Sequence, residues 1–166
     1  MKTGVTLCLT LFIIGAGLKG APAPYTAVEV YPFATSSGVA FPAEDQSALA
    51  EDIAREISVA YETVVIVRPG EIAPTGRPVL RISGVVTRFK PGSRTERYLI
   101  GFGAGATVVK AQVRFTDAAT GQILLRREVT GLNWTRNTDG NFQHAGDSLA
   151  GKIVKICNAA HLIASN

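Results

Sequence analysis

Hydrophobic and polar residues alternate most regularly in the second half of the chain. From Ala106 to Thr116, Val109, Ala111, Val113 and Phe115 fall on one face, and Lys110, Gln112, Arg114 and Thr116 on the other. That is the period-two pattern of a strand with one wet face. Asp117-Ala118-Ala119-Thr120-Gly121 follows and suits a type I turn closed by a glycine at positive φ. Alternation resumes from Gln122 to Thr130. Ile123, Leu125 and Val129 share a face interrupted by Arg127, while Arg126, Glu128 and Thr130 share a face interrupted by Leu124. The pattern predicts an antiparallel hairpin. A third stretch, Val79 to Phe89, sets Leu80, Ile82 and Val86 against Arg81, Ser83, Val85 and Thr87. Lys90-Pro91-Gly92-Ser93 then reads as a turn, with a returning strand near Tyr98 to Ile100.

The first half mixes periods. Ala27 to Phe33 reads as a strand with Val28, Val30 and Pro32 on one face and Glu29, Tyr31 and Phe33 on the other. Pro32 cannot donate to a ladder, so it belongs at a strand end or an edge. Ala34 to Pro42 reads as a loop of small residues. Leu49, Ile53, Ile57 and Ala60 recur at helical spacing between Glu44 and Tyr61, with Glu51, Asp52, Arg55 and Glu56 assigned to the wet face. Thr63 to Val67 is a short β-branched run, so strand, helix and strand fit a βαβ crossover. Prolines and glycines mark 68–78 as a loop. Leu132 to Asn141 is polar and irregular. A closing helix is predicted over Phe142 to Leu162, with Phe142, Ala145, Leu149, Ile153, Ile156 and Ala160 on one stripe. The expected fold is α+β: a mixed, mostly antiparallel sheet with two long helices packed on it and one early βαβ crossover.

Composition adds a compartment. The chain has 166 residues, 46% hydrophobic and 18% charged, which suits one packed domain. Lys2 followed by the uncharged apolar run Val5 to Leu18 has the form of a secretory signal peptide. The run is shorter than the about 20 residues of a membrane span. Ala21-Pro22-Ala23 has the small-x-small form of a cleavage site, and Gly15-Ala16-Gly17 is a second candidate. The division is therefore a signal peptide over 1–23 and a single α+β domain over 24–166. The protein is expected to be exported to the periplasm or cell envelope, with retained N-terminal anchoring as the lesser alternative. Removing Lys2 and Lys19 lowers the formal charge from +4 to +2, too little to argue for nucleic acid. Of the two cysteines, Cys8 lies in the leader, so Cys157 is left without a partner for an internal disulfide. It reads as a small buried apolar residue.

Candidate chemistry is sparse. Gly101-Phe102-Gly103-Ala104-Gly105-Ala106 contains the start of a dinucleotide fingerprint. That fingerprint requires a helix after it, and a strand follows here. Gly101, Gly103 and Gly105 instead leave one side of the backbone bare for close approach. Arg88, Lys90, Arg94 and Arg97 crowd one hairpin with Phe89 and Tyr98 between them. Such interleaving suits an anionic lipid or glycan, or charge protection of a sheet edge. Trp134 is the only tryptophan, set in a polar loop as an interface anchor or a lid over the core. Asn133-Trp134-Thr135 also has the form of a glycosylation sequon. His144 and Asp147, three apart on a predicted helix, are the one pair a small hydrolase or transferase could use, and a surface pair otherwise. No cofactor or metal is expected, and no catalytic residue is assigned.

Two segments carry a family resemblance: Leu80 to Phe89, with Gly84 inside it, and Gly101 through Leu124, which includes Asp117-Ala118-Ala119-Thr120-Gly121. Over Ala27 to the C-terminus the chain resembles the bacterial envelope family called domain of unknown function 4410. Many members of that family are lipoproteins, and this chain lacks a lipoprotein cysteine at the end of its apolar run. In pattern it is also similar to curli-secretion lipoproteins and to lipoprotein activators of penicillin-binding proteins. The shared points are Pro32-Phe33, Gly84 and the Asp-x-x-Thr-Gly hairpin. The resemblance implies an assembly or interaction role without enzymatic residues, the partner being an unknown envelope protein or the chain itself, with peripheral membrane contact possible. The alternatives are an anionic lipid or glycan binder through the basic hairpin, and the small hydrolase or transferase.

Overall fold

The computed structural model describes residues 24–92, 105–133 and 142–164. The strands are β1 (Ala27–Val30), β2 (Ala34–Thr35), β3 (Val65–Val67), β4 (Val79–Lys90), β5 (Thr107–Asp117) and β6 (Ile123–Asn133). The helices are α1 (Ala43–Ala60), between β2 and β3, and α2 (Gln143–Ala159), after β6. They form one mixed six-stranded sheet in the order β3-β1-β4-β5-β6, with β2 also on β4. The fold is α+β, as the periodicity predicts. β1, α1 and β3 make the early βαβ crossover, and β1 also pairs in parallel with β4. The long ladders, β4 with β5 and β5 with β6, are antiparallel.

Both helices lie on one face of the sheet. Leu80, Ile82 and Val86 of β4, and Val109, Ala111, Val113 and Phe115 of β5, are buried under them. From the helices, Leu49, Ile53 and Ile57 of α1 meet Leu149 and Ile153 of α2 in the same core. Two glycines permit the cover to come down. A Cβ on Gly131 of β6 would fall on the Ala145 carbonyl oxygen of α2 and 2.9 Å from Leu149 Cβ. A Cβ on Gly84 would overlap the ring of Phe33 and stand 2.9 Å from the Gln112 carbonyl oxygen.

Phe33 corrects an expectation. Strand β1 stops at Val30, and pairing resumes only at β2, one register step out. Pro32 occupies the gap, where no ladder hydrogen bond is required of it. The extra residue breaks the alternation, so Phe33 turns to the helix side and is fully buried over Gly84. Two further irregularities have the same effect. The β4–β5 register shifts between Val86 and Arg88, which leaves Phe89 able to meet Phe41 edge-on at 5.1 Å. The β5–β6 register shifts between Phe115 and Thr116, so Leu124 is the extra residue that interrupts the pattern of β6.

The hairpin turn explains its own sequence. The Asp117 carboxylate accepts from the Thr120 backbone N–H at 2.7 Å and from the Thr120 hydroxyl at 2.9 Å. Gly121, at φ 72°, closes the turn by donating to the Asp117 carbonyl. Tyr25 donates its hydroxyl to the same carboxylate at 2.8 Å, which ties the start of the described chain to the turn. The chain end joins them. α2 is shorter than predicted: it stops at Ala159, and His161 takes φ 49° in the turn that follows. Ile163 then bridges Tyr25 in parallel.

The glycine contacts predict a graded series in urea unfolding. Gly131→Ala must push back helix backbone and is expected to lose at least the about 1–3 kcal/mol of an overpacked core. Gly84→Ala loses less, and Phe33→Leu in the same chain restores part of it. Gly151→Ala in α2, where a Cβ meets nothing within 4 Å, is neutral or gains up to about 1 kcal/mol.

Candidate interaction surfaces

Of the residues singled out from sequence, Arg88, Lys90 and Gly105 fall within the described structure, whereas Arg94, Arg97, Gly101, Gly103 and Trp134 lie outside it. The described residues that bracket the latter stand at one end of the sheet. Lys90 is in register with Val108, and Thr107 with Asn133. The Thr107 hydroxyl accepts from the Gly92 N–H at 3.0 Å. Tyr25, the Asp117 turn and Ile163 gather at the opposite end. Arg88 is exposed and in register with Lys110, while Lys90 is half-buried. Gly105 takes φ 78°, a backbone region that glycine enters without strain. Asn133, the first residue of the sequon, is only 2% exposed.

His144 and Asp147 belong to a polar tie between the helices. His144 Nδ1 stands 3.8 Å from one Asp147 oxygen, and both side chains are substantially exposed. Arg55 of α1 donates to the other Asp147 oxygen at 3.0 Å and reaches Asp52 on its own helix at 2.7 Å. Asp52, assigned to the wet face from its spacing, is instead buried between the helices. Gly146 makes the room, since a Cβ there would stand 3.0 Å from an Asp52 carboxylate oxygen. Burial pushes the Asp52 carboxyl above its ordinary value, against the opposing pull of Arg55. Cys157 is fully buried, and desolvation pushes its thiol up to about 12, which makes it inert at neutral pH. Among the described residues no group of three or more His, Cys, Asp or Glu is placed to hold a metal.

The face of the sheet turned away from the helices carries Arg81, Ser83, Val85, Lys110, Gln112, Arg114, Arg126 and Glu128. A cleft of about 430 Å³ opens there between β4, β5 and β6, and Arg114, Arg126 and Glu128 are among the residues that line it. Two ion pairs organise the face: Arg81 with the buried Glu29 at 2.9 Å, and Lys110 with Glu128 at 2.8 Å. The Arg81 guanidinium also sits 5.1 Å from the centre of the Tyr31 ring. Alternation alone puts Arg114 and Arg126 on wet faces. Only the register, counted back from the Asp117 turn, sets them side by side.

Asp52 and Asp117 predict opposite pH dependences. Asp117 is held below its ordinary value, first by the Thr120 backbone N–H and then by the Tyr25 hydroxyl. Its contribution is present above the ordinary carboxylate value and lost as pH falls through the lowered one. Asp117→Asn is therefore expected to cost about 1 kcal/mol near neutral pH, and the deficit closes in acid. Asp52 is raised, so its contribution is present below the ordinary value and lost as pH rises through the raised one. Asp52→Asn is expected to match or exceed the wild type near neutral pH, with no advantage in acid. Urea unfolding at the two pH values separates the cases.

Comparison with known proteins fits this architecture. No curated protein matches the chain significantly. Among solved structures, the chain is similar to a point variant of PelC from Paraburkholderia phytofirmans, crystallised as a dodecamer. The TM-score is 0.57 at 18% identity, over 87% of this chain and 93% of that one. It is similar to XCC0632 from Xanthomonas campestris, a DUF330 protein, at a TM-score of 0.56 and 13% identity over 84% and 90%. It is also similar to the hypothetical protein CT253 from Chlamydia trachomatis, at 0.52 and 7% over 86% and 99%. Identities this low establish a shared fold. The family model of DUF4410, a domain of unknown function, matches residues 38–136, a span that takes in α1, the bulged β4 and the whole Asp117 hairpin, and the chain belongs to that family.

Proposed function

We propose that this protein is a non-enzymatic, exported protein of the bacterial envelope that works by binding another protein or by assembling with copies of itself. The observation that carries the reading is the distribution of the layers. Both helices cover one face of the sheet, and the other face of β4, β5 and β6 is left open among the described residues, with Gln112, Arg114, Arg126 and Glu128 exposed. Sheet faces of this kind are ordinarily packed against another layer or hydrated by charges. This one carries both ion pairs and a cleft, a surface with shape and charge to offer a partner.

Two further points support it. Residues 1–23 have the sequence form of an export leader, and no helix among the described residues is long and apolar enough to cross a membrane. The PelC chain, which shares the fold, is a dodecamer in its crystal. His144 is better accounted for as part of the helix tie than as a general base, because the Asp147 that would orient it is engaged by Arg55.

The test is crosslinking of the tagged protein in its native cells, followed by envelope fractionation and the mass of each product. A ladder of self-multiples, or one discrete heavier species, is the expected result. Trp134→Ala is expected to weaken that product at least tenfold, the effect of losing an interface anchor, with thermal stability retained. A clean monomer in the soluble fraction overturns the proposal.

A further inference from the structure

We infer that the cleft on the open sheet face binds a phosphate group, with Arg114 and Arg126 as its paired ligands. The two arginines are directly opposite each other across β5 and β6. Both are exposed and both line the cleft. Directly opposed side chains on one face of an antiparallel pair have Cβ atoms about 4.5–5.5 Å apart, and like charges in that position destabilise the pair. Elsewhere on this face the carboxylates are already engaged. Glu29 is taken by Arg81, and Glu128, the carboxylate that lines the cleft, is taken by Lys110. Among the described residues neither Arg114 nor Arg126 has an ion-pair partner. The face thus concentrates two unneutralised guanidinium groups where its cleft opens.

The chemistry of the pair selects the ligand. One guanidinium fork satisfies one carboxylate. Two forks present a charge of +2 and a surplus of N–H donors, which match the three terminal oxygens and the about −1.5 to −2 charge of a phosphate monoester or of inorganic phosphate near neutral pH. Gln112, also exposed in the cleft, adds a neutral amide donor. A bound phosphate offsets the repulsion between the arginines, so the same contact that holds the ligand steadies the β5–β6 ladder. The site is distinct from the basic hairpin of Arg88 and Lys90, which lies nearer the far end of β4.

Calorimetric titration of the purified full-length protein with inorganic phosphate, at neutral pH and low salt, tests the site. Saturable binding is expected. It weakens about tenfold in Arg114→Gln or Arg126→Gln, vanishes in the double variant, and is unchanged in Arg88→Gln. Phosphate raises the melting temperature of the wild type and not that of the double variant. In parallel, sedimentation with phosphatidylcholine vesicles, with and without phosphatidic acid, identifies the source. Binding to inorganic phosphate assigns a soluble phosphate. Binding that appears only with phosphatidic acid, and requires both arginines, assigns a lipid headgroup. Binding to neither probe overturns the inference, as does any binding or thermal shift that survives the double substitution.

Discussion

The close approach of cover to sheet at two glycines is the constraint on which the rest of this structure depends. Gly131 lets the α2 backbone lie against β6, and Gly84 lets the Phe33 ring lie against β4. Any side chain at either position would hold the cover away from a core that includes Val109, Ala111, Val113 and Leu149, all fully buried. Small residues recur at this contact, with Ala111 buried on β5 and Ala145 buried on α2. The contacts also account for a pattern visible in the sequence. Pro32-Phe33 and Gly84 are far apart in the chain, yet they are two halves of one contact. Pro32 ends the strand so that Phe33 can turn inward, and Gly84 receives it.

Both helices lie on one face, and among the described residues no layer covers the other, whose side chains are largely charged. The charges are not scattered. Arg81 satisfies the buried Glu29, and Lys110 satisfies Glu128, which leaves the opposed Arg114–Arg126 pair, like Arg88 further along β4, without a carboxylate partner among the described residues. Exposed ion pairs contribute little to stability, so their effect on this face is arrangement more than strength: they remove the carboxylates that would otherwise quench the two arginines. Between the helices the logic is reversed. Asp52 is buried at a desolvation cost, and Arg55 bridges it to Asp147, so the polar tie fixes how α1 and α2 meet more than it stabilises them.

Much of the fold was legible in the sequence because β4, β5 and α1 keep one period over most of their length, and because Asp117-x-x-Thr120-Gly121 encodes its turn through side-chain hydrogen bonds. The failures have specific causes. Phe33 sits beside an irregularity, where one extra residue changes which face a side chain takes and strict alternation misassigns it. Two more irregularities account for the inward turn of Phe89, which alternation left unassigned, and for Leu124, which it read as an interruption. Asp52 was misplaced because helical spacing locates a residue on a helix but does not show that glycine on the facing helix has opened a polar pocket. Ala160 and Leu162 prolong the apolar content that spacing extends as helix, whereas the backbone stops the helix at Ala159 and sends the chain back to Tyr25. The candidate site was less legible still. Arg114 and Arg126 are ordinary wet-face arginines until the register of the hairpin is known.

The two ends of the sheet are built differently, and this bears on how such a chain presents itself. At one end Tyr25, the Asp117 turn and Ile163 are tied by the Tyr25 hydroxyl, by the bridge to Ile163 and by the hydrogen bond from Ala118 to Val79. The Tyr25 hydroxyl is raised to about 12 by burial and by the Asp117 carboxylate, so this tie persists across the physiological range. The N-terminal segment joins the fold at this closed end. Gly92, Gly105 and Asn133 stand at the other, where the long connections that hold Arg94, Arg97, Gly103 and Trp134 begin and end. The chain therefore enters the fold at the end of the sheet opposite Gly92, Gly105 and Asn133, while the arginine pair stands between the two ends on the open face.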